Sequence, residues 1–174
     1  MTQEEFLIQH LTEGKSYKLI SEANGIPNFQ LSEWWESGIE LRLLIKKTNQ
    51  LFSNKKNLEE FIEFKNLGKR AFFEWYRAQP RKCAYCGIEE FKLEKLFDKE
   101  SGILKTKRGR GRTLELERRN TDSNEYSIKN CVLACYLCNN HKSDLITDKE
   151  HLEYFVPSFR KYLDDKYNEL NDNR

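Results

Sequence analysis

The 174-residue sequence predicts an α+β chain: a mainly helical region over residues 1–80, then a metal-stabilised core of two strands and a helix, closed by a C-terminal helix, over 81–174. Three observations carry this expectation. Apolar residues recur at helical spacing through most of the first 80 residues. Beyond Cys83 the texture changes to short elements, among them two β-rich stretches, TLELE (113–117) and NCVLAC (130–135). Two Cys-x-x-Cys pairs, Cys83/Cys86 and Cys135/Cys138, bracket those stretches.

In chain order, EEFLIQHL (4–11) is a short amphipathic helix and 16–22 adds another turn or two. Asn24-Gly25-Ile26-Pro27 is a turn, and LSEWWESGIELRLLIKKTNQLF continues as helix with Ser32 as its cap and Gly38 weakening its middle. Helix–Gly turn–helix is the outline of a DNA-reading motif, but the segment is acidic and packing alone accounts for such a pair. A helix over about 57–79 ends before Pro80. Residues 91–97 read as helix, 103–107 as a strand before RGRGR, and TLELE and NCVLAC as two strands joined by a polar loop. A helix follows from about Asn139, and a last one covers roughly 149–170 with an interruption near Pro157.

Composition narrows the class. With 38% hydrophobic residues, 11 Phe, 8 Tyr and 3 Trp the chain can build a core, and a third of its residues are charged. No apolar run reaches membrane-spanning length, so no membrane partner is expected. The polar, acidic N-terminus does not resemble a secretion signal. A cytoplasmic protein is the default expectation, and there thiols stay reduced and paired cysteines hold metal more often than they form disulfides.

Each Cys-x-x-Cys pair can grip one side of a tetrahedral zinc ion through thiolates, and closing the 48 residues between the pairs would anchor a segment with little core of its own. Four thiolates leave no open coordination position, so this zinc is structural. Cys131, the fifth cysteine, sits on an apolar stretch and reads as core.

Net charge is +2, but it is unevenly distributed. Residues 1–40 carry seven Glu against Lys15 and Lys18, whereas 104–120 carry Lys105, Lys107, Arg108, Arg110, Arg112, Arg118 and Arg119 against Glu115 and Glu117. The basic stretch is either a solvated loop or a contact for an anionic partner. Its glycines let backbone approach a duplex, and Lys105, Lys107, Arg108, Arg110 and Arg112 suit phosphates or guanine edges.

The run LELERRN, then Tyr126-Ser127-x-x-Asn130, then Cys135-x-x-Cys138-Asn139-x-x-Lys142-Ser143, together with Cys83-x-Tyr85-Cys86-Gly87-Ile88, resembles the HNH nuclease family with its ββα-metal motif. The likeness is to its PacI-like restriction endonucleases, which carry Arg and Tyr in place of the usual catalytic His. It covers about a third of the chain and extends weakly into Phe72-x-Glu74-Trp75-Tyr76.

The resemblance implies a divalent-metal-dependent endonuclease on double-stranded DNA, restriction-type or a related defence or phage nuclease, acting as a homodimer because cutting both strands requires two single-metal sites. Glu117 supplies a carboxylate and Asn139 an amide oxygen to a catalytic Mg2+ or Mn2+, both hard ions that favour oxygen. Arg118 stands where most relatives place a general-base His; it stays protonated and suits a phosphate grip. Tyr126 orients or activates the nucleophile, with His141 as the second choice of base. Asn130 pins the loop so that the acid faces the metal. Lys142 shares the helix face of Asn139 and contacts phosphate. Two other classes stay open: a non-catalytic zinc module binding nucleic acid, and a ribonuclease or toxin effector.

Overall fold

A computed structural model describes residues 1–172. It is an α+β structure with one two-stranded sheet, and it divides into two compact units, Met1–Ala78 and the chain from Gln79 onward.

The first unit is helical: α1 (Gln3–Leu11), α2 (Tyr17–Asn24), α3 (Asn28–Ser37), α4 (Ile39–Lys55), a 3-10 turn (Glu59–Phe61) and α5 (Ile62–Ala78). Thr2 and Ser16 cap α1 and α2 by accepting from the Glu5 and Leu19 amides. Gly25 closes α2 in the left-handed region (φ 66°), and Pro27 opens α3. The α2–turn–α3 hairpin packs around the Phe6, Leu7, Ile8, Ile20, Leu31, Ile45 and Phe73 core, with Trp34 and Trp35 against it. Its Gly turn therefore serves packing.

Two local expectations need correction. Ser32 is not a cap: it lies inside α3, and its hydroxyl donates back to the Asn28 carbonyl. The segment 57–79 is not one helix either, because Gly68 adopts φ 85° and breaks α5 with a kink. Gly38 separates α3 from α4 at the place where the sequence read as weak.

In the second unit, α6 (Glu90–Leu96) is followed by a long irregular stretch, then β1 (Glu115–Arg118), β2 (Cys131–Ala134) and α7 (Tyr136–Lys142). A single turn, α8 (Asp148–Glu150), passes through a π-helical stretch (His151–Phe155) into α9 (Val156–Asp172). Residues 103–107 form no strand; instead the Leu104 amide donates to the Leu96 carbonyl, folding that stretch back on α6. The strands pair antiparallel, with Glu117 opposite Val132 and Arg118 opposite Cys131. The helix after β2 starts at Tyr136, three residues before the expected Asn139. The last helical segment is not broken at Pro157: it runs on as α9, with Pro157 in the first turn immediately after the π-helical stretch, so the expected interruption is only a change of hydrogen-bond pattern.

Candidate active site and metal centre

The Cys83–Cys86 turn is held from several sides. The Cys83 amide donates to the Ile88 carbonyl, the Gly87 amide returns to the Cys83 carbonyl, and the Ala84 amide reaches the Leu133 carbonyl. Gly87 sits at φ 74°, a conformation a side chain would strain. From α9, the Arg160 Nε donates to the Cys86 carbonyl at 2.7 Å. Cys135 ends the β2 segment as the N-cap of α7, so Cys138 comes round one turn later. All four cysteines are buried, and their sulfurs lie within 4.8 Å of one another. Cys86 and Cys135 Sγ are 3.7 Å apart, too long for a disulfide and close to the ~3.8 Å that four Zn–S bonds of ~2.3 Å impose in a tetrahedron. Hydrogen bonds from Cys135, Cys138 and Cys86 pull the Cys83 thiol down, while those with Cys135, Cys83 and Cys86 push the Cys138 thiol up. Four thiolates cannot coexist here without a cation, and this donor set fits zinc. Cys131 is buried on β2, outside the cluster.

The two strands and α7 bring the remaining site residues together. Strand alternation puts Glu115 and Glu117 on one face of β1, and α7 lies against that face. Asn139 and Lys142, one helical turn apart, meet them in order: Asn139 Nδ2 donates to Glu115 Oε2 at 2.6 Å, and Lys142 Nζ to Glu117 Oε1 at 3.3 Å. Lys142 also donates to the Arg118 carbonyl at 3.0 Å and is 0% exposed. Its amine is therefore a buried strut between helix and strand rather than the phosphate contact expected of it. Burial pushes the Glu117 carboxyl up, and the Lys142 charge opposes that shift.

Arg118 alternates away from Glu117. Its guanidinium donates to the Asn124 carbonyl and side-chain oxygen and lies 4.7 Å from the Tyr126 ring centroid. The loop carrying Tyr126 is organised by Asn130. Its Oδ1 accepts from the Asn120 amide at 2.8 Å, and its Nδ2 donates to the Asn120 and Glu125 carbonyls at 2.9 and 2.8 Å. Those bonds tie the end of β1 to the loop. His141 points to the other side of α7, with its ring 4.2 Å from Phe155 and 4.9 Å from Phe159.

The basic stretch is partly committed to internal partners. Lys105 donates to the Asp98 and Lys99 carbonyls, Arg112 pairs with Asp98 at 3.3 Å, and Arg110 forks onto Glu115. Lys107 and Arg108 are exposed and, with Arg110, Tyr136 and Tyr162, line a cleft of about 500 Å³.

Three functional-looking groups escaped sequence reading. Glu90, buried on α6, pairs with Arg81 and accepts from the Leu114 amide at 2.9 Å, setting the start of β1. Tyr85 donates to Asp148, which also pairs with Arg119 at 2.8 Å. Glu115 is the third, and its place two residues before Glu117 on a strand was the signal available.

A zinc-type cysteine cluster that clasps a β-hairpin and helix, with acid, amide and arginine grouped on those elements, has the layout of a ββα nuclease core. No family model matches the sequence, and no curated protein matches it. Among solved structures, the rare-cutting HNH restriction endonuclease PacI is similar at 30% identity with a TM-score of 0.52, covering 68% of this chain and 78% of that one. The chain belongs to the HNH endonuclease family. Among the described residues, no helix is long and apolar enough to cross a membrane.

Proposed function

We propose that this chain is a divalent-metal-dependent endonuclease hydrolysing phosphodiester bonds in double-stranded DNA, of the restriction type and acting as a homodimer. The observation that carries the reading is the facing pair of β1 and α7: β1 carries the buried Glu117 carboxylate, and α7, which carries the Asn139 amide, is bonded to the same strand through Asn139–Glu115 and Lys142–Glu117. Family membership supports nuclease chemistry. PacI is a restriction endonuclease, and that specific role comes to this chain by proposal.

Glu117 and the Asn139 amide oxygen form a hard-donor set suited to Mg2+ or Mn2+. When bound, such an ion polarises the scissile phosphate and stabilises the leaving oxygen. Among the described residues, three or more His, Cys, Asp or Glu side chains come within reach of a common ion at the four cysteines. Glu117 and Asn139 supply two ligands, and a six-coordinate Mg2+ would take its remaining positions from phosphate and water. Arg118, always cationic, grips the phosphate once it trades the Asn124 oxygens for it. Tyr126, under that guanidinium, orients the attacking water through its hydroxyl. Asn130 keeps both on one rigid loop. Lys107 and Arg108 supply backbone grip.

One observation favours a non-catalytic zinc module binding nucleic acid: the Lys142 ammonium already neutralises Glu117. Plasmid cleavage with Mg2+ or Mn2+, with and without chelator, separates the two. DNA binding without nicking under any divalent ion would reject catalysis. Glu117→Ala is expected to abolish cutting at unchanged zinc content.

A further inference from the structure

We infer that Glu115 is a positioning residue for the catalytic cation: it locks the Asn139 side chain with its amide oxygen presented as ligand, and Arg110 holds Glu115 in place for that task. The inference rests on the reading of Asn139 as a metal ligand, and it adds a relay from the basic stretch to that ligand.

The chemistry of the contact decides the orientation. An asparagine side chain has a donating and an accepting end of nearly equal size, and nothing intrinsic prefers one rotation over the other. Only the oxygen is useful to a hard cation. An ionised carboxylate can only accept, so the 2.6 Å contact with Glu115 Oε2 selects the NH2 end of Asn139. The amide oxygen is the end left over. A rotation by half a turn would set oxygen against carboxylate and present NH2 to the cation, failing at both contacts.

Glu115 is itself held by two bonds from Arg110, Nε to Oε1 at 2.9 Å and Nη2 to Oε2 at 2.5 Å. This is the fork geometry in which arginine fixes a carboxylate in direction as well as charge. Side-chain exposure of Glu115 is 17% and of Arg110 41%, so the pair lies at the boundary of the site, with Arg110 reachable from outside. The Arg110 guanidinium also stands 5.0 Å from the ring centroid of Tyr136, the first residue of the helix that carries Asn139. Arg110, Glu115 and Asn139 therefore form a continuous chain from basic stretch to ligand. Outer partners of this kind commonly change metal affinity by about 10–100-fold when removed.

The test is titration of Mn2+ alone into the zinc-loaded full chain, read by the EPR signal of free Mn2+ without DNA. Glu115→Ala is expected to raise the Mn2+ dissociation constant about 10–100-fold at unchanged zinc content. Glu115→Gln, which keeps an accepting oxygen for Asn139 but loses the fork, should shift it less, as should Arg110→Met. The decisive comparison uses Asn139→Asp, whose two equivalent oxygens need no orienting. In that background Glu115→Ala should weaken Mn2+ binding no further. An equal loss in both backgrounds would show that Glu115 acts by charge alone and would overturn the inference. Unchanged Mn2+ affinity in Glu115→Ala, with Asn139→Ala weakened, would overturn it while sparing Asn139 as ligand. Unchanged affinity in Asn139→Ala would remove the ligand reading itself.

Discussion

Replacing Lys142 by methionine isolates the electrostatics at the centre of this site. The lysine is 0% exposed and its partner Glu117 side chain 9%, at 3.3 Å. At an effective dielectric of about 20 two unit charges at that separation attract by about 5 kcal/mol. The variant does not lose all of this, because Glu117 can take up a proton. Starting from an ordinary Glu value of about 4.3 in the unfolded chain, protonation at pH 7 costs about 1.36 × 2.7, or roughly 3.7 kcal/mol. At pH 5 the same step costs about 1 kcal/mol. Loss of the bond to the Arg118 carbonyl adds about 1 kcal/mol at either pH. The sign follows from linkage: removing the ammonium raises the folded-state value of Glu117 further. The neutral carboxyl is then tolerated at low pH, and stability falls as pH rises above the unfolded value. Lys142→Met should therefore cost roughly 4–5 kcal/mol at pH 7 and about 2 at pH 5. All three tryptophans, Trp34, Trp35 and Trp75, lie in the first unit, so their fluorescence reports elsewhere. Hydrogen exchange of the Arg119 amide, bonded to the Asn130 carbonyl, reads the right unit. A penalty equal at both pH values, or one that Glu117→Gln in the same chain fails to relieve, would refute the electrostatic account and leave packing.

Further outcomes are expected. Cys138→Ser should lower zinc content measured by elemental analysis and strip exchange protection from β1 and β2, since structural zinc in small modules contributes on the order of 10 kcal/mol of folding free energy. Asn130→Ala removes three backbone contacts in a half-exposed loop and should cost about 1–3 kcal/mol, with Asn130→Asp, which keeps only the accepting bond, close behind. His151 is buried, neither ring nitrogen has a hydrogen-bond partner among the described residues, and burial lowers its proton affinity, with His141 and Lys142 adding to the effect. A depressed folded value means that stability present above about pH 6.5 is lost as pH falls. Acid denaturation followed by circular dichroism should show that limb, and His151→Phe should make it shallower.

The elements most legible in the sequence were those whose signal is local. Cys-x-x-Cys spacing, strand alternation in TLELE and the helical period of the first 80 residues each reflect geometry within a few bonds. The misplaced features failed for local reasons too. Ser32 is an ordinary cap residue, but Pro27 already starts the helix five residues earlier, and in mid-helix the Ser32 hydroxyl turns back on Asn28. The helix expected over 57–79 runs through Gly68, and only that residue's φ of 85° reveals the kink. Residues 103–107 hold too few alternating apolar positions to keep a strand without a partner, and Leu104 is held by Leu96 instead.

From its order of residues alone this protein specified a zinc-type clasp, two strands and a following helix, because each of those depends on spacing along the chain; the acid, arginine, tyrosine and asparagines on them were singled out by the resemblance to the HNH family. The pairing of those groups was decided in three dimensions. Lys142 turns inward to Glu117 and Asn139 to Glu115 because α7 starts three residues earlier than its sequence implied and lies against the acidic face of β1. Residues separated by 24 or 25 positions then meet in a region of low dielectric, where an unpaired charge is costly and an available partner is taken. Charge on a linear sequence carries a sign but no address; burial assigns the partner.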